Sequence, residues 1–264
     1  MKFLVQQQPA YVYTGGKPFD ATKPSVVFIH GAANDHSVWV YQSRYFAHHG
    51  WNAMAVDLPG HGQSFGEAKT TIGEYADWIV NLLDNGGVSR AALVGHSMGS
   101  LIAMECAVRH DARVSQLALL GASVPMPVSD VLLDAARNRP TEAFDLLNLW
   151  GHAPPLKWGR NPTPGTSSMV AYKRLLEKSR PGVLATDLTA CAAYVPADAT
   201  IATIKTPTLI IAGGRDMMTP PKSAQAVASR FPGSRLVLFD DTGHAMTQEA
   251  PGKTVDALKG FLKP

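Results

Sequence analysis

A serine between two glycines is the residue in this sequence whose surroundings most favour chemistry. Ser97 lies in the pentapeptide GHSMG at 95–99, after an apolar run at 91–94 and before a helical pattern. A G-x-S-x-G motif on a sharp strand-to-helix turn is called a nucleophile elbow. Glycines suit that turn because the helix packs so close to the strand that no Cβ atom fits between them. We therefore predict that Ser97 is a nucleophile.

Two further side chains are needed to activate such a serine. The hydroxyl needs a base within hydrogen-bond reach, and the base needs an acid that sets its tautomer. In proteins with an elbow serine the chain order is serine, acid, histidine. Of the nine histidines, three follow Ser97: His110, His152 and His244. We predict His244 as the base because it comes directly after a predicted strand, whereas His110 ends the elbow helix and His152 lies in a separate helical region.

Asp216 is the predicted acid. It lies in the loop after the apolar run 208–211, which predicts a strand of the same sheet. Asp240 and Asp241 are alternatives, but both lie so close to His244 in the chain that neither reaches the ring easily from behind. We therefore expect Asp216 to orient His244.

Attack by a serine creates a negatively charged oxygen, and two backbone N–H groups are needed to stabilise it. One donor is the residue after the nucleophile, and the other comes from the loop after an earlier strand. These positions correspond to Met98 and Ala32. Gly31, directly before Ala32, allows the backbone to pass close to a substrate.

Hydrophobic patterning predicts the elements that position these residues. Strands are predicted at 2–7, 10–14, 26–29, 53–56, 91–94, 116–120, 208–211 and 236–239. Helical patterns alternate with most of these strands, an order that indicates βαβ units and a mainly parallel sheet. The exception is a block with helical patterns alone, at 129–137, 141–150, 168–179 and 183–193. We predict a core domain, 1–123 and 200–264, with a helical cap, 124–199, that covers the site; the alternative is a purely structural helical subdomain.

Composition limits the classes of function. The chain has 264 residues, of which 45% are hydrophobic and 17% charged, values that are ordinary for a globular enzyme. Its net charge of +3 comes from scattered residues, and no apolar run is long enough to span a membrane. Cys106 and Cys191 lack metal-ligand spacing and are expected as free thiols. We expect no nucleic-acid or membrane partner, no metal or cofactor, a cytoplasmic location, and a monomer or homodimer.

Five motifs together resemble the α/β-hydrolase superfamily over essentially the whole chain. They are HG at 30–31, DLPGHGQS at 57–64, GHSMG at 95–99, GRD at 214–216 and GH at 243–244. The chain is similar to small bacterial serine esterases, haloperoxidase-like enzymes and C–C hydrolases that carry a helical cap. The resemblance implies an α/β fold with an eight-stranded, mostly parallel sheet, an antiparallel second strand and a cap inserted after strand 6. Ser97 occupies the position at which haloalkane dehalogenases and epoxide hydrolases carry Asp, which argues against those two groups.

The predicted substrate is a small molecule with an ester-like carbonyl group. The residues predicted to bind it are mostly apolar: His30, Gly31, Val38, Trp39, Met126, Trp150, Trp158, Met169 and Tyr172. Such a lining favours small to medium, mainly apolar esters, so the leading hypothesis is a serine carboxylesterase. The alternatives are a hydrolase of C–C bonds, lactones or amides with the same three residues, and a ligand receptor without turnover.

Overall fold

An eight-stranded sheet forms the centre of the molecule. The computed structural model describes residues 1–154, 161 and 165–264. The strands are β1 Lys2–Val5, β2 Gln8–Tyr13, β3 Ser25–Ile29, β4 Asn52–Val56, β5 Ala91–His96, β6 Val114–Leu120, β7 Thr208–Gly213 and β8 Arg235–Phe239. Their order in the sheet is β1-β2-β4-β3-β5-β6-β7-β8. The predicted eight-stranded α/β fold is confirmed.

Strand direction divides the sheet into two parts. From β4 through β8 every neighbouring pair is parallel, while β2 is antiparallel to both β1 and β4. The central strands β3, β4, β5 and β7 are buried along their whole length. Strands covered on both faces read as continuous apolar runs, which is why their positions were visible in the sequence.

Helices cover both faces of this sheet. Those outside the segment between β6 and β7 are α1 Val40–Ala47, α2 Ile72–Asn85, α3 Met98–Arg109, α9 Pro221–Arg230, α10 Met246–Glu249 and α11 Pro251–Lys259. Thr71 caps α2 because its side chain accepts from the Glu74 amide while the Glu74 carboxylate accepts from the Thr71 amide. In the described part of the chain, no helix is both long and apolar enough to cross a lipid bilayer.

In the described part of the segment between β6 and β7, the regular structure is helical. Its described helices are α4 Asp130–Asn138, α5 Pro140–Gly151, α6 Ser168–Glu177, α7 Val183–Ala193 and α8 Asp198–Ile201. α4 packs against α5 and α7, and α5 packs against α6. Leu132, Leu147, Leu176 and Leu188 belong to the apolar cluster that joins these helices, and Ala33 of the loop after β3 belongs to the same cluster. The helices between β6 and β7 therefore share a packed interior with the loop after β3. The four-residue helix α8 was not predicted.

Candidate active site

The turn that carries Ser97 joins β5 directly to α3. Ser97 has φ 54° and ψ −121°, a positive-φ conformation that is uncommon outside glycine. Its amide donates to the Leu120 carbonyl at 2.9 Å, and its carbonyl accepts from the Ser100 amide and hydroxyl at 2.8 and 2.6 Å. A Cβ atom on Gly95 would lie 2.0 Å from the Gly99 carbonyl oxygen. The close packing of strand and helix therefore requires a glycine beside this serine.

Asp216 and His244 come together from the loops after β7 and β8. His244 Nδ1 donates to Asp216 Oδ2 at 2.8 Å. The amides of Met218 and Thr219 each donate to Asp216 Oδ1 at 2.8 Å, and the Thr219 hydroxyl donates to Oδ2 at 2.7 Å. These donors hold the carboxylate in one orientation. The alternative acids Asp240 and Asp241 are both exposed.

The hydrogen bond from Nδ1 sets the chemical state of the His244 ring. Burial opposes ionisation of Asp216, but the His244 imidazole and the Thr219 donors outweigh it and hold the pKa of the carboxyl below its usual value. A carboxylate accepts, so Nδ1 carries the proton and Nε2 presents a lone pair. His244 Nε2 is buried and has no hydrogen-bond partner among the described residues. The ring is therefore arranged to accept a proton at Nε2.

His96, next to the nucleophile in sequence, supports the same histidine from another side. Its Nε2 donates to the His244 carbonyl oxygen at 2.8 Å, and the two rings lie 4.8 Å apart. Burial and the charge of His244 lower the pKa of His96 to about 3. His96 is thus a neutral donor at neutral pH, and it positions the His244 backbone.

A cavity of about 270 Å³ opens next to these residues. Ser97, His96 and His244 line it together with Ala32, Asn34, Met217, Met218 and Thr219 of the core loops. The segment after β6 supplies Met126, Pro127, Val128, Ser129, Leu132, Leu147, Trp150, Tyr172, Leu188 and Cys191. Among the described lining residues there is no Lys, Arg, Asp or Glu. The cavity is at the small end of ligand pockets and suits an uncharged, mainly apolar group.

The loop after β3 and the start of α3, which carry the predicted oxyanion donors, both adjoin Ser97. Met98 is the first residue of α3, and amides at a helix start have no partner within the helix. Ala32 lines the cavity. A Cβ atom on Gly31 would lie 3.1 Å from the Ser97 Cβ atom, so this loop passes directly over the serine.

The predicted substrate-binding residues divide into two groups. Met126, Trp150 and Tyr172 line the cavity. His30, Gly31, Val38, Trp39 and Met169 are not among its lining residues, and Trp158 lies outside the described residues. Val38 and Trp39 are buried in the core beneath the loop, with Trp39 packed against Phe28.

His30 is a structural residue in this arrangement. Its Nδ1 donates to the Gly31 carbonyl at 2.8 Å, and its Nε2 accepts from the Leu58 amide at 3.1 Å. It is completely buried. The ring therefore joins two loops, and His30 is not among the residues that line the cavity.

Sequence reasoning missed several residues at the site. Asn34, Leu188 and Cys191 line the cavity without any local pattern that marks them. Thr219 was detectable, because it follows Asp216 by three residues and such spacing is typical of side-chain-to-backbone turns. Asp187 was detectable as the single charged residue of the otherwise apolar helix α7.

In the described part of the chain, one group of residues has ligand atoms close enough to hold a metal ion. It consists of Asp35, His36 and Asp57. Their side chains already have partners. Asp35 accepts from the Ser37 amide, and Asp57 accepts from His36 Nδ1 and from the amides of His36 and Gln63. These bonds account for the cluster as a structural support of two loops.

Comparison with known proteins agrees with this architecture. A dihydrolipoyllysine-residue acetyltransferase component of an acetoin cleaving system from Cupriavidus necator is 29% identical over 247 residues, which are 90% of this chain; the chain spans only 63% of that protein. A pimeloyl-[acyl-carrier protein] methyl ester esterase from Aromatoleum aromaticum is 28% identical, covering 84% of this chain and 92% of its own. Both proteins are relatives of this chain at low identity.

The fold itself has close structural counterparts. The crystal structure of the enol-lactonase from Burkholderia xenovorans LB400 superposes with a TM-score of 0.87, covering 99% of each chain at 21% identity. The model of the alpha/beta hydrolase family matches residues 26–257, which is most of the sequence. This chain therefore belongs to the α/β hydrolase family.

Proposed function

We propose that the protein is a serine carboxylesterase in which Ser97 is the nucleophile, His244 the base and Asp216 the acid. The observation that carries this proposal is the His244 ring: Asp216 holds its Nδ1, its Nε2 is unpartnered among the described residues, and His244 lines the same cavity as Ser97. A base oriented in this way, beside a serine on a strained turn, is the arrangement that nucleophilic catalysis requires. The relationship to an ester hydrolase from Aromatoleum aromaticum supports the same class.

The proposed reaction proceeds through an acyl-enzyme. Ser97 Oγ attacks the ester carbonyl carbon while His244 Nε2 takes its proton, and a tetrahedral oxyanion forms. When the intermediate collapses, His244 protonates the leaving alcohol and an ester bond to Ser97 remains. Water then attacks that ester with His244 again as base, which releases the acid and restores the serine. Asp216 stabilises the imidazolium at both stages without itself taking the proton.

Met98 and Ala32 are the proposed oxyanion donors. The two amides that follow Ala32 are used within the protein: Ala33 donates to Asp187 at 2.9 Å, and Asn34 donates to the Gly31 carbonyl at 3.2 Å. Ala32 is therefore the residue of this turn whose amide is proposed to point toward a substrate. The dipole of α3, which begins at Met98, adds positive potential at the same place.

The proposed substrate class follows from the cavity. Its described lining is mainly apolar and carries no fixed charge, and its volume of about 270 Å³ suits a small to medium acyl or alcohol group. In this proposal the helices after β6 act as a cap. Together with the loop that precedes them, they contribute ten residues to the lining of the cavity. The remaining functional alternatives are cleavage of C–C bonds, lactones or amides by the same residues, and ligand reception without turnover.

Hydrolysis of p-nitrophenyl esters from acetate to decanoate tests the proposal. Wild type is expected to show turnover with an optimum chain length, because the cavity has a limited volume of about 270 Å³. Ser97→Ala is expected to lose at least about three orders of magnitude in rate, because the members of a triad act as a unit. Ester turnover that survives in Ser97→Ala would overturn the assignment.

A fluorophosphonate probe distinguishes the alternatives. If Ser97 is labelled but simple esters are not hydrolysed, the nucleophile works and the carboxylesterase assignment is wrong. Turnover of dienones, lactones or amides would then identify the reaction. Tight ligand binding with negligible turnover of every class would favour the receptor.

A further inference from the structure

A second buried carboxylate lies behind the loop that carries the proposed oxyanion donor. Asp187, on α7, is completely buried. Its Oδ2 accepts from the Ala33 amide at 2.9 Å and from His61 Nε2 at 2.8 Å, and its Oδ1 accepts from the Tyr75 hydroxyl at 2.8 Å. Both oxygens therefore have donors, and none of these donors belongs to the residues that line the cavity.

The partner of this carboxylate is a charged histidine. His61 Nε2 faces Asp187 Oδ2, and His61 Nδ1 faces the Pro59 carbonyl oxygen at 3.0 Å. Both neighbours are acceptors, so both ring nitrogens carry protons. His61 and Asp187 thus form an ion pair, and the pair lies in the interior with side chains no more than about 1% exposed.

The amide held by Asp187 lies in a strained turn. Ala33 has φ 55°, in the left-handed region that favours glycine. The same turn is closed by the Asn34 amide, which donates to the Gly31 carbonyl. Fixing the Ala33 amide fixes the peptide plane that joins it to Ala32. This plane adjoins the one that carries the Ala32 amide, and the carboxylate that holds it lies 154 residues from Ala33 in the chain.

We propose that Asp187, held by its ion pair with His61, is a positioning residue that keeps the Ala32–Ala33 turn in the conformation needed to bind the oxyanion. This inference rests on the proposed function. α7 also supplies Leu188 and Cys191 to the cavity wall. The helix that contacts the acyl group thereby also holds the oxyanion loop. Asp187 acts through the turn and does not touch the substrate.

Asp187→Asn and Tyr75→Phe form the test pair. Asparagine keeps the size of the side chain but removes the charge that pairs with His61. Tyr75→Phe removes a hydrogen bond to the other carboxylate oxygen and leaves the Ala33 contact in place, so it controls for general loss of packing. We expect Asp187→Asn to lower kcat at least tenfold with KM within twofold, because oxyanion contacts act mainly in the transition state. Tyr75→Phe should retain kcat within threefold.

Each outcome supports or overturns the proposal. Equal loss in the two variants, or unchanged kcat in Asp187→Asn, would show that the pair is merely structural. If Asp187→Asn does not fold, His61→Gln replaces it: glutamine still donates to Asp187 but carries no charge, and a kcat loss larger than that of Tyr75→Phe is expected. A loss no larger than that of Tyr75→Phe would overturn the proposal.

The labelling rate of Ser97 by a fluorophosphonate separates this inference from the proposed function. The phosphoryl oxygen of the probe occupies the oxyanion position, so slower labelling of Asp187→Asn is expected even if wild type hydrolyses no simple ester. Absence of ester turnover in wild type would contradict the carboxylesterase proposal alone. Equal labelling rates in wild type and Asp187→Asn would contradict the positioning role alone.

Discussion

Two buried Asp–His pairs in the described part of the chain differ in the surroundings of the second ring nitrogen. His244 Nδ1 lies 2.8 Å from Asp216 Oδ2, and His61 Nε2 lies 2.8 Å from Asp187 Oδ2. Both rings are about 2% exposed. In His61 the remaining nitrogen faces a backbone carbonyl, whereas in His244 the remaining nitrogen has no partner among the described residues.

This difference shows what makes an Asp–His pair suitable for catalysis. A carboxylate accepts from one ring nitrogen in both pairs, so the carboxylate alone does not distinguish them. Both nitrogens of the His61 ring already face acceptors within the protein, so neither is left for a substrate. The His244 ring has one nitrogen that can gain and lose a proton beside Ser97. The second nitrogen therefore separates the structural pair from the pair that we propose to be reactive.

Substitution of Asp216, the partner of His244, is expected to have the largest effect on the rate. Asp216→Asn should lower kcat by about three to four orders of magnitude, because an amide that donates to Nδ1 would place the proton on Nε2 and leave no base. Steady-state kinetics on the best ester measures this effect. Asp241→Asn is the matched control, because Asp241 is exposed in the adjacent loop. A mild Asp216→Asn combined with a severe Asp241→Asn would show that the acid has been misassigned.

A third buried histidine, His96, bonds to a backbone carbonyl and to no carboxylate among the described residues, and it is expected to affect stability at acidic pH. Its pKa is lowered to about 3 by burial and by the charge of His244, so the unfolded chain binds a proton below about pH 6.5 that the folded chain does not. The stability associated with neutral His96 is therefore present above pH 6.5 and is lost as the pH falls toward 3.

In wild type the free energy of unfolding should fall as the pH decreases below 6.5. His96→Gln should make this fall smaller by about 1.4 kcal/mol for each pH unit. Glutamine retains a donor for the His244 carbonyl while removing the titration. Urea unfolding of both proteins between pH 7 and pH 4 measures the slopes. Parallel slopes would mean that His96 is not the group that binds the proton on unfolding. The pKa of His30, lowered to about 4 by burial and by the charge of His61, leaves a residual slope in both proteins.

His61 is expected to show the opposite dependence on pH. Burial alone would lower the pKa of this ring, but the charge of Asp187 and its hydrogen bond outweigh burial and raise it. The contribution of protonated His61 to the stability of the fold is therefore fully present below about pH 6.5. It is lost as the pH rises through the pKa of His61 in the folded state. The free energy of unfolding of wild type relative to His61→Gln should fall above pH 6.5 by about 1.4 kcal/mol per unit until that pKa is passed. A difference that stays constant from pH 6 to 9 would mean that the ring is neutral.

The smallest expected effect concerns the hydroxyl that supports the reactive pair. Thr219 Oγ1 donates to Asp216 Oδ2 at 2.7 Å and lies 3.2 Å from His244 Nδ1. Thr219→Val should lower kcat by up to about tenfold, because Asp216 keeps its bond to His244 and the two backbone donors. Comparison with Thr219→Ser, which restores the hydroxyl, measures the contribution. Valine and serine variants with the same kcat would exclude a role for this hydroxyl.

Prediction succeeded for the sheet because its signals are local. The central strands β3, β4, β5 and β7 are buried along their whole length and contain the apolar runs from which they were predicted. The insertion was harder: the predicted helix at 168–179 is observed as Ser168–Glu177, and the short helix Asp198–Ile201 was not recognised. Helices of one turn are held by tertiary contacts more than by their own sequence.

The sequence by itself determined the family, the sheet and the three candidate residues of the site, because loops at the carboxyl ends of parallel strands meet at one edge of the sheet. Only the tertiary structure decided that His30 is buried away from the cavity, that both nitrogens of His61 face acceptors, and that Asp187 accepts from the Ala33 amide. These contacts join residues up to 154 positions apart. No local pattern encodes them, because the charge of a buried ring depends on which distant groups surround it.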